Sequence, residues 1–76
     1  MKRYDLRHLG QDFLTRMGEI IKSSYNGEVM VFLFEIGDFS SVQKSANLVE
    51  GLNSTLMNSI KFNQVDWTIV VKKGKI

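Results

Sequence analysis

Residues 37–41 read Gly-Asp-Phe-Ser-Ser and stand between the most apolar run of the chain, Val29 to Phe34, and a segment with helical spacing. A glycine, two hydroxyls and a fresh helix N-terminus are the parts of an anion site, because the first N–H groups of a helix lack intrahelical partners. In that reading Gly37 lets the backbone approach a phosphate closely, and Ser40 and Ser41 donate to it. The same five residues also make an ordinary helix cap, with Asp38, Ser40 or Ser41 as the capping group. A carboxylate at Asp38 repels an anion unless it is turned into the cap. Both readings stand on the sequence. Phe39 lies in the turn, outside either periodic element, either as a plug at the core edge or as a ring offered to a partner or a flavin. Trp67 and the phenylalanines at 32, 34, 39 and 62 offer faces on which a flavin or a base would stack. Aromatics at alternating strand positions are more often core or cross-strand pairs.

Other chemistry finds less support. His8 is the only histidine; it stands beside Arg7 and near Asp5, where a general base is conceivable and a surface or structural role is the ordinary reading. There is no cysteine, which removes disulfides, thiolate zinc, cysteine catalysis and cysteine-held iron–sulfur clusters together. No serine sits in a nucleophile elbow, and no pair of carboxylates has a recognisable catalytic arrangement. The turns His-Leu-Gly-Gln-Asp and Gly-Asp-Phe-Ser-Ser each hold one glycine, so the dinucleotide fingerprint G-x-G-x-x-G is absent. Lys72, Lys73 and Lys75 form the clearest charge cluster, a solvated tail or a weak pointer to anions. A net charge of +2 and the lack of a basic-aromatic run argue against nucleic acid as a partner.

These residues need a scaffold, and its size is bounded. With 76 residues, 43% of them hydrophobic and 24% charged, the chain has material for one folded domain spanning 1–76. Arg3 to Arg7 reads as a short strand with Tyr4 and Leu6 on one face and Asp5 and Arg7 on the other. Phe13, Leu14, Met17, Ile20 and Ile21 make the stripe of an amphipathic helix over about residues 11–23, ended by Tyr-Asn-Gly at 25–27. Val29 to Phe34 predicts the central strand. Val42, Ala46, Val49 and Leu52 predict a second helix over about 40–51, closed near Gly51 or Asn53. Leu56, Ile60 and Phe62 alternate with Met57, Ser59 and Lys61, and Trp67, Ile69 and Val71 alternate with Thr68, Val70 and Lys72. These two strands predict a closing hairpin. The fold class expected is an α/β two-layer sandwich (α+β), ordered β-α-β-α-β-β, with a mixed four-stranded sheet and two helices on one face. Met1, Lys2 and Arg3 lead into Tyr4 and Asp5 rather than an apolar stretch, so no signal peptide and a cytoplasmic location are expected.

Two resemblances follow from these residues. The layout from Tyr-Asp-Leu-Arg at 4–7 to the closing Asp-Trp-Thr-Ile-Val-Val at 66–71 resembles the sulfur-carrier fold of the SirA-like family. That family carries a persulfide on a cysteine in D-x-R-G-x-x-C-P; here His8 replaces the glycine, Gln11 the cysteine and Asp12 the proline, so the resemblance implies the fold without sulfur transfer. The segments at 3–9, 32–47 and 56–73 are similar to a small bacterial family identified as an E-subunit-like component of the proton-translocating NADH:quinone oxidoreductase, respiratory complex I. The resemblance implies a cytoplasmic-side position among the hydrophilic subunits, with membrane association only through the complex. The ordinary E subunit holds a two-iron cluster through cysteines, which this protein lacks. The expectation is therefore an accessory subunit at the electron-input end that binds FMN or docks a flavoprotein donor. Its FMN site would draw on Gly37, Asp38, Phe39, Ser40, Ser41, Trp67 and Lys72, with no metal and no catalytic residue of its own. The alternatives are a free-standing flavin- or nucleotide-binding protein and a ligand-free assembly module.

Overall fold

The computed structural model describes residues 1–74 and leaves Lys75, part of the basic cluster, outside the described residues. The chain runs β1 (Lys2–Asp5), a 3-10 segment (Arg7–Asp12), α1 (Phe13–Ser23), β2 (Val29–Glu35), α2 (Ser40–Gly51), β3 (Thr55–Lys61) and β4 (Asp66–Lys72). The sheet order is β1-β2-β4-β3, with β1 parallel to β2 and the other pairs antiparallel. This is the mixed four-stranded α+β sandwich that the hydrophobic periods predict. Because β4 inserts between β2 and β3, the closing hairpin pairs with the centre of the sheet rather than extending its edge.

The core lies between one sheet face and the two helices. Phe13, Met17, Ile20 and Ile21 of α1 meet Met30, Phe32 and Phe34 of β2 and Ile69 and Val71 of β4, with Leu6 and Val49 completing the cluster. Phe13 and Phe34 stack at 4.2 Å and 6°, and Tyr4 stacks on Phe32 at 5.4 Å. The α1 stripe is the one its spacing predicts. Full burial of a side chain of this size contributes about 1.5–3 kcal/mol, so this cluster dominates a domain with so few residues.

Four expectations are corrected. The first strand stops at Asp5, not Arg7, because the Asp5 carboxylate accepts the Arg7 N–H at 3.1 Å and turns the chain; Leu6 is buried just beyond it. The residues expected to open the first helix are instead 3-10 turns broken at Gly10, whose φ of 55° and ψ of −128° suit only glycine, so α1 starts at Phe13. The buried stripe of α2 is Ser41, Ser45 and Val49 with Leu48 and Leu52 beside them, one residue round from the expected Val42 and Ala46. The Ser45 hydroxyl, fully buried there, is satisfied by the Val42 carbonyl at 2.7 Å. Finally, Ile60 and Phe62 do not share a buried face with Leu56. A bulge between Leu56 and Asn58 inserts one extra residue, so Leu56 packs on the core while Ile60 and Phe62 are 50% and 60% exposed.

The end of α2 is closed as expected near Asn53. Asn53 takes φ 55°, its N–H donates to the Glu50 carbonyl at 2.9 Å, and the Ser54 N–H donates to the Val49 carbonyl at 3.1 Å. That pair of bonds is a Schellman closure with asparagine in the left-handed position.

Candidate functional site

The turn from β2 into α2 is built by the Asp38 carboxylate. It accepts the Ser40 N–H at 2.8 Å and also the Ser40 hydroxyl, while the Asp38 carbonyl accepts the Ser41 N–H at 3.3 Å. The Phe39 carbonyl takes the Val42 N–H at 3.1 Å and shares that of Gln43 at 3.3 Å. The early donors of α2 are thus satisfied from within the turn. Hydrogen bonds from the Ser40 side chain and backbone hold the Asp38 carboxyl below the usual carboxylate range, so a negative charge already sits at the positive end of the helix. Ser41 is buried. Gly37 has ordinary negative φ, and a Cβ there would meet only the Gln11 amide at 3.4 Å.

Above this turn two aromatic rings stand together. Phe39 is 74% exposed and meets Trp67 edge to face, with centroids 6.2 Å apart and planes at 82°. The Trp67 indole N–H donates to the Ser59 hydroxyl at 2.7 Å, which fixes the ring across the β3–β4 ladder. Gly37 to Ser41 and Trp67 therefore share one corner of the molecule. Lys72 does not: it lies at the other end of β4, paired with Val29 and Thr55, about 17 Å along the strand from Trp67. Lys73 closes α1 instead, its ammonium donating to the Ile21 carbonyl at 2.5 Å and the Lys22 carbonyl at 3.3 Å.

Sequence reading passed over a second constellation. Arg7 grips Asp5 with two parallel bonds, Nε to Oδ1 at 2.9 Å and Nη2 to Oδ2 at 2.7 Å, and reaches the buried Asp66 at 3.3 Å. Asn63 adds its amide to Asp66 at 2.8 Å and organises the β3–β4 turn by accepting the N–H groups of Val65 and Asp66. The Arg7 guanidinium holds Asp5 down at about 2, and the two carboxylates raise Arg7 above its ordinary value. Beside this cluster, Arg3, Val31, Leu33, Thr68, Ile60 and Phe62 line a shallow groove of about 420 Å³ on the sheet face opposite the helices. The unbroken apolar run of β2 was the available signal for this face, because a half-exposed strand normally alternates.

Among the described residues no three histidine, aspartate or glutamate side chains come together as a metal site, and no helix is long and apolar enough to cross a membrane. The family described as the putative E subunit of NADH-ubiquinone oxidoreductase matches residues 1–73. The chain belongs to this family. Family membership relates it to the respiratory NADH-ubiquinone oxidoreductase. The solution structure of HP1264 from Helicobacter pylori is similar at 48% identity, covering 99% of this chain and 100% of that one with a TM-score of 0.69. No curated protein matches the chain.

Proposed function

We propose that this chain is an accessory subunit at the electron-input end of NADH-ubiquinone oxidoreductase, acting by docking against neighbouring hydrophilic subunits or a flavoprotein electron donor. The observation that carries the reading is the family match over residues 1–73 in a protein without cysteine, which has no ligands for the cluster that an electron-carrying E subunit holds. What the molecule does offer is contact surface at the exposed Phe39–Trp67 corner. Position in the complex, on the cytoplasmic side, is part of the same proposal. Tagged protein recovered from detergent-solubilised membranes is expected to bring down the hydrophilic subunits of the oxidoreductase. Recovery of the tagged protein without any of them would overturn the reading.

FMN binding is a second reading, favoured by the exposed edge-to-face pair, which presents an aromatic surface of the kind a flavin ring stacks on. The α2 N-terminus does not fit the flavin phosphate, since Asp38 already supplies the anion there and the early N–H groups are engaged. Binding would rest on the ring system. Titration of the labelled protein with FMN, with riboflavin and inorganic phosphate as controls, is expected to shift Phe39 and Trp67 equally for FMN and riboflavin. Shifts at Ser40 and Ser41 with phosphate alone would return the phosphate site to the turn.

A further inference from the structure

The sheet face away from the helices carries an ordered charge pattern. In register, Val29 stands beside Lys72, Arg3 beside Val31 and Val31 beside Val70, Asp5 beside Leu33 and Leu33 beside Thr68, and Glu35 beside Asp66. Read along the strands, one end holds Arg3 and Lys72, neither of which takes part in an ion pair among the described residues. The other end holds Glu35, exposed and in no ion pair among the described residues, beside the buried Asp66, which shares Arg7 with Asp5. Between them lie Val31, Leu33, Val70 and Ile60, half-buried or exposed. The face therefore carries Lys72 in one end layer and Glu35 in the other, with two middle layers that are apolar on β2 and β4 and flanked on the edge strand by Arg3 toward the positive end and Asp5 toward the negative end.

Such a face is complementary to itself in one arrangement. A two-fold axis lying in the plane of the sheet and perpendicular to the strands brings the positive end of one copy over the negative end of the next. Lys72 then faces the end that carries the exposed Glu35, Arg3 faces Asp5, and Val31 and Val70 face Leu33 and Thr68. An axis along the strands would instead set like charges together, which is unfavourable. We infer that the open sheet face is a self-association surface, on which a second copy of this chain packs with its strands reversed. The contact is isologous, as closed dimers require. Four strands each about 4.8 Å wide and four side-chain layers each about 7 Å deep give a footprint of roughly 19 by 28 Å. That is below the ~800 Å² per partner of a stable interface, so the dimer is weak and salt-sensitive.

The test is sedimentation equilibrium of the protein at low salt, from about 10 μM to about 1 mM, a range that brackets a dissociation constant of about 100 μM. The weight-average mass is expected to rise from 8.7 kDa toward twice that value. Glu35→Lys and Lys72→Glu are each expected to weaken association about tenfold, and the double exchange to restore it, since it swaps the members of that pair across the two copies and keeps them opposite in charge. Ile60→Asp should abolish association, and amide spectra of each variant report that the fold is kept. A monomer at every concentration, or a double exchange no tighter than the single ones, overturns the inference. A monomer that still co-purifies with the hydrophilic subunits leaves the proposed function standing and assigns the face to a different protein.

Discussion

Asp38 decides the character of the turn that most resembles an anion site. Glycine, hydroxyls and a helix start are all present, yet the carboxylate that precedes them occupies the place a phosphate would take. Asp38→Ala is expected to lower the melting temperature by several degrees, because it strips the cap from Ser40, whereas Asp38→Ser should recover most of the loss. The same variant separates the two readings of the turn. With the carboxylate gone, inorganic phosphate should shift the Ser40 and Ser41 amides, and in the unaltered protein it should not. Residue types alone favoured the cap and left the phosphate open, since both use the same atoms. The deciding fact is a rotamer of Asp38, and no spacing rule encodes it. Lys72 shows the same limit at longer range, for its distance from Phe39 follows from the strand order and not from composition.

At the scale of elements, the legible parts were those with a sustained period and the illegible ones those in which a single residue breaks it. The α1 stripe and the β2 run are long enough for burial to follow the pattern directly. In β3 one inserted residue at the bulge exchanges the two faces, so an alternation that looks continuous across Leu56, Ile60 and Phe62 points inward at its start and outward at its end. For α2 the misleading signal was hydropathy itself. Serines at 41 and 45 occupy the buried face, and a period traced through valine and alanine lands one residue away. The bulge gives a sharp contrast between two phenylalanines. Phe34→Ala, at the stacked core pair, is expected to cost about 3–5 kcal/mol, while Phe62→Ser is expected to change stability by no more than about 0.5 kcal/mol. Urea unfolding of both variants checks this, and a large loss for Phe62→Ser would mean that the bulge does not set the face.

For the molecule as a whole, the Asp5–Arg7–Asp66 cluster joins what topology alone holds weakly. β1 is four residues long and lies at the sheet edge, and Arg7 ties its end to the buried start of β4 across β2. The sequence shows Asp5 and Arg7 as ordinary alternating polar residues, and their joint partner is 59 positions away, which is why the cluster is visible only in the folded chain. Its dependence on pH follows from Asp5. The carboxyl is lowered from 3.8 to about 2 on folding, chiefly by hydrogen bonds from Arg7, so the unfolded chain takes up this proton first as acid is added. The stabilisation is complete above pH 4 or so and fades as the pH falls through about 2, where the folded carboxyl is protonated too. Acid also leaves the charge of the 10 lysines and arginines less balanced, a general repulsion that the protein shares with its variants. Comparison with Asp5→Asn removes that shared background. The melting temperature of the unaltered protein should exceed that of the variant at neutral pH, and the gap should close as the pH approaches 2. A gap that stays constant across that interval would mean that Asp5 stabilises the N-terminal strand through the geometry of its turn, which asparagine alters at every pH, rather than through its charge on Arg7.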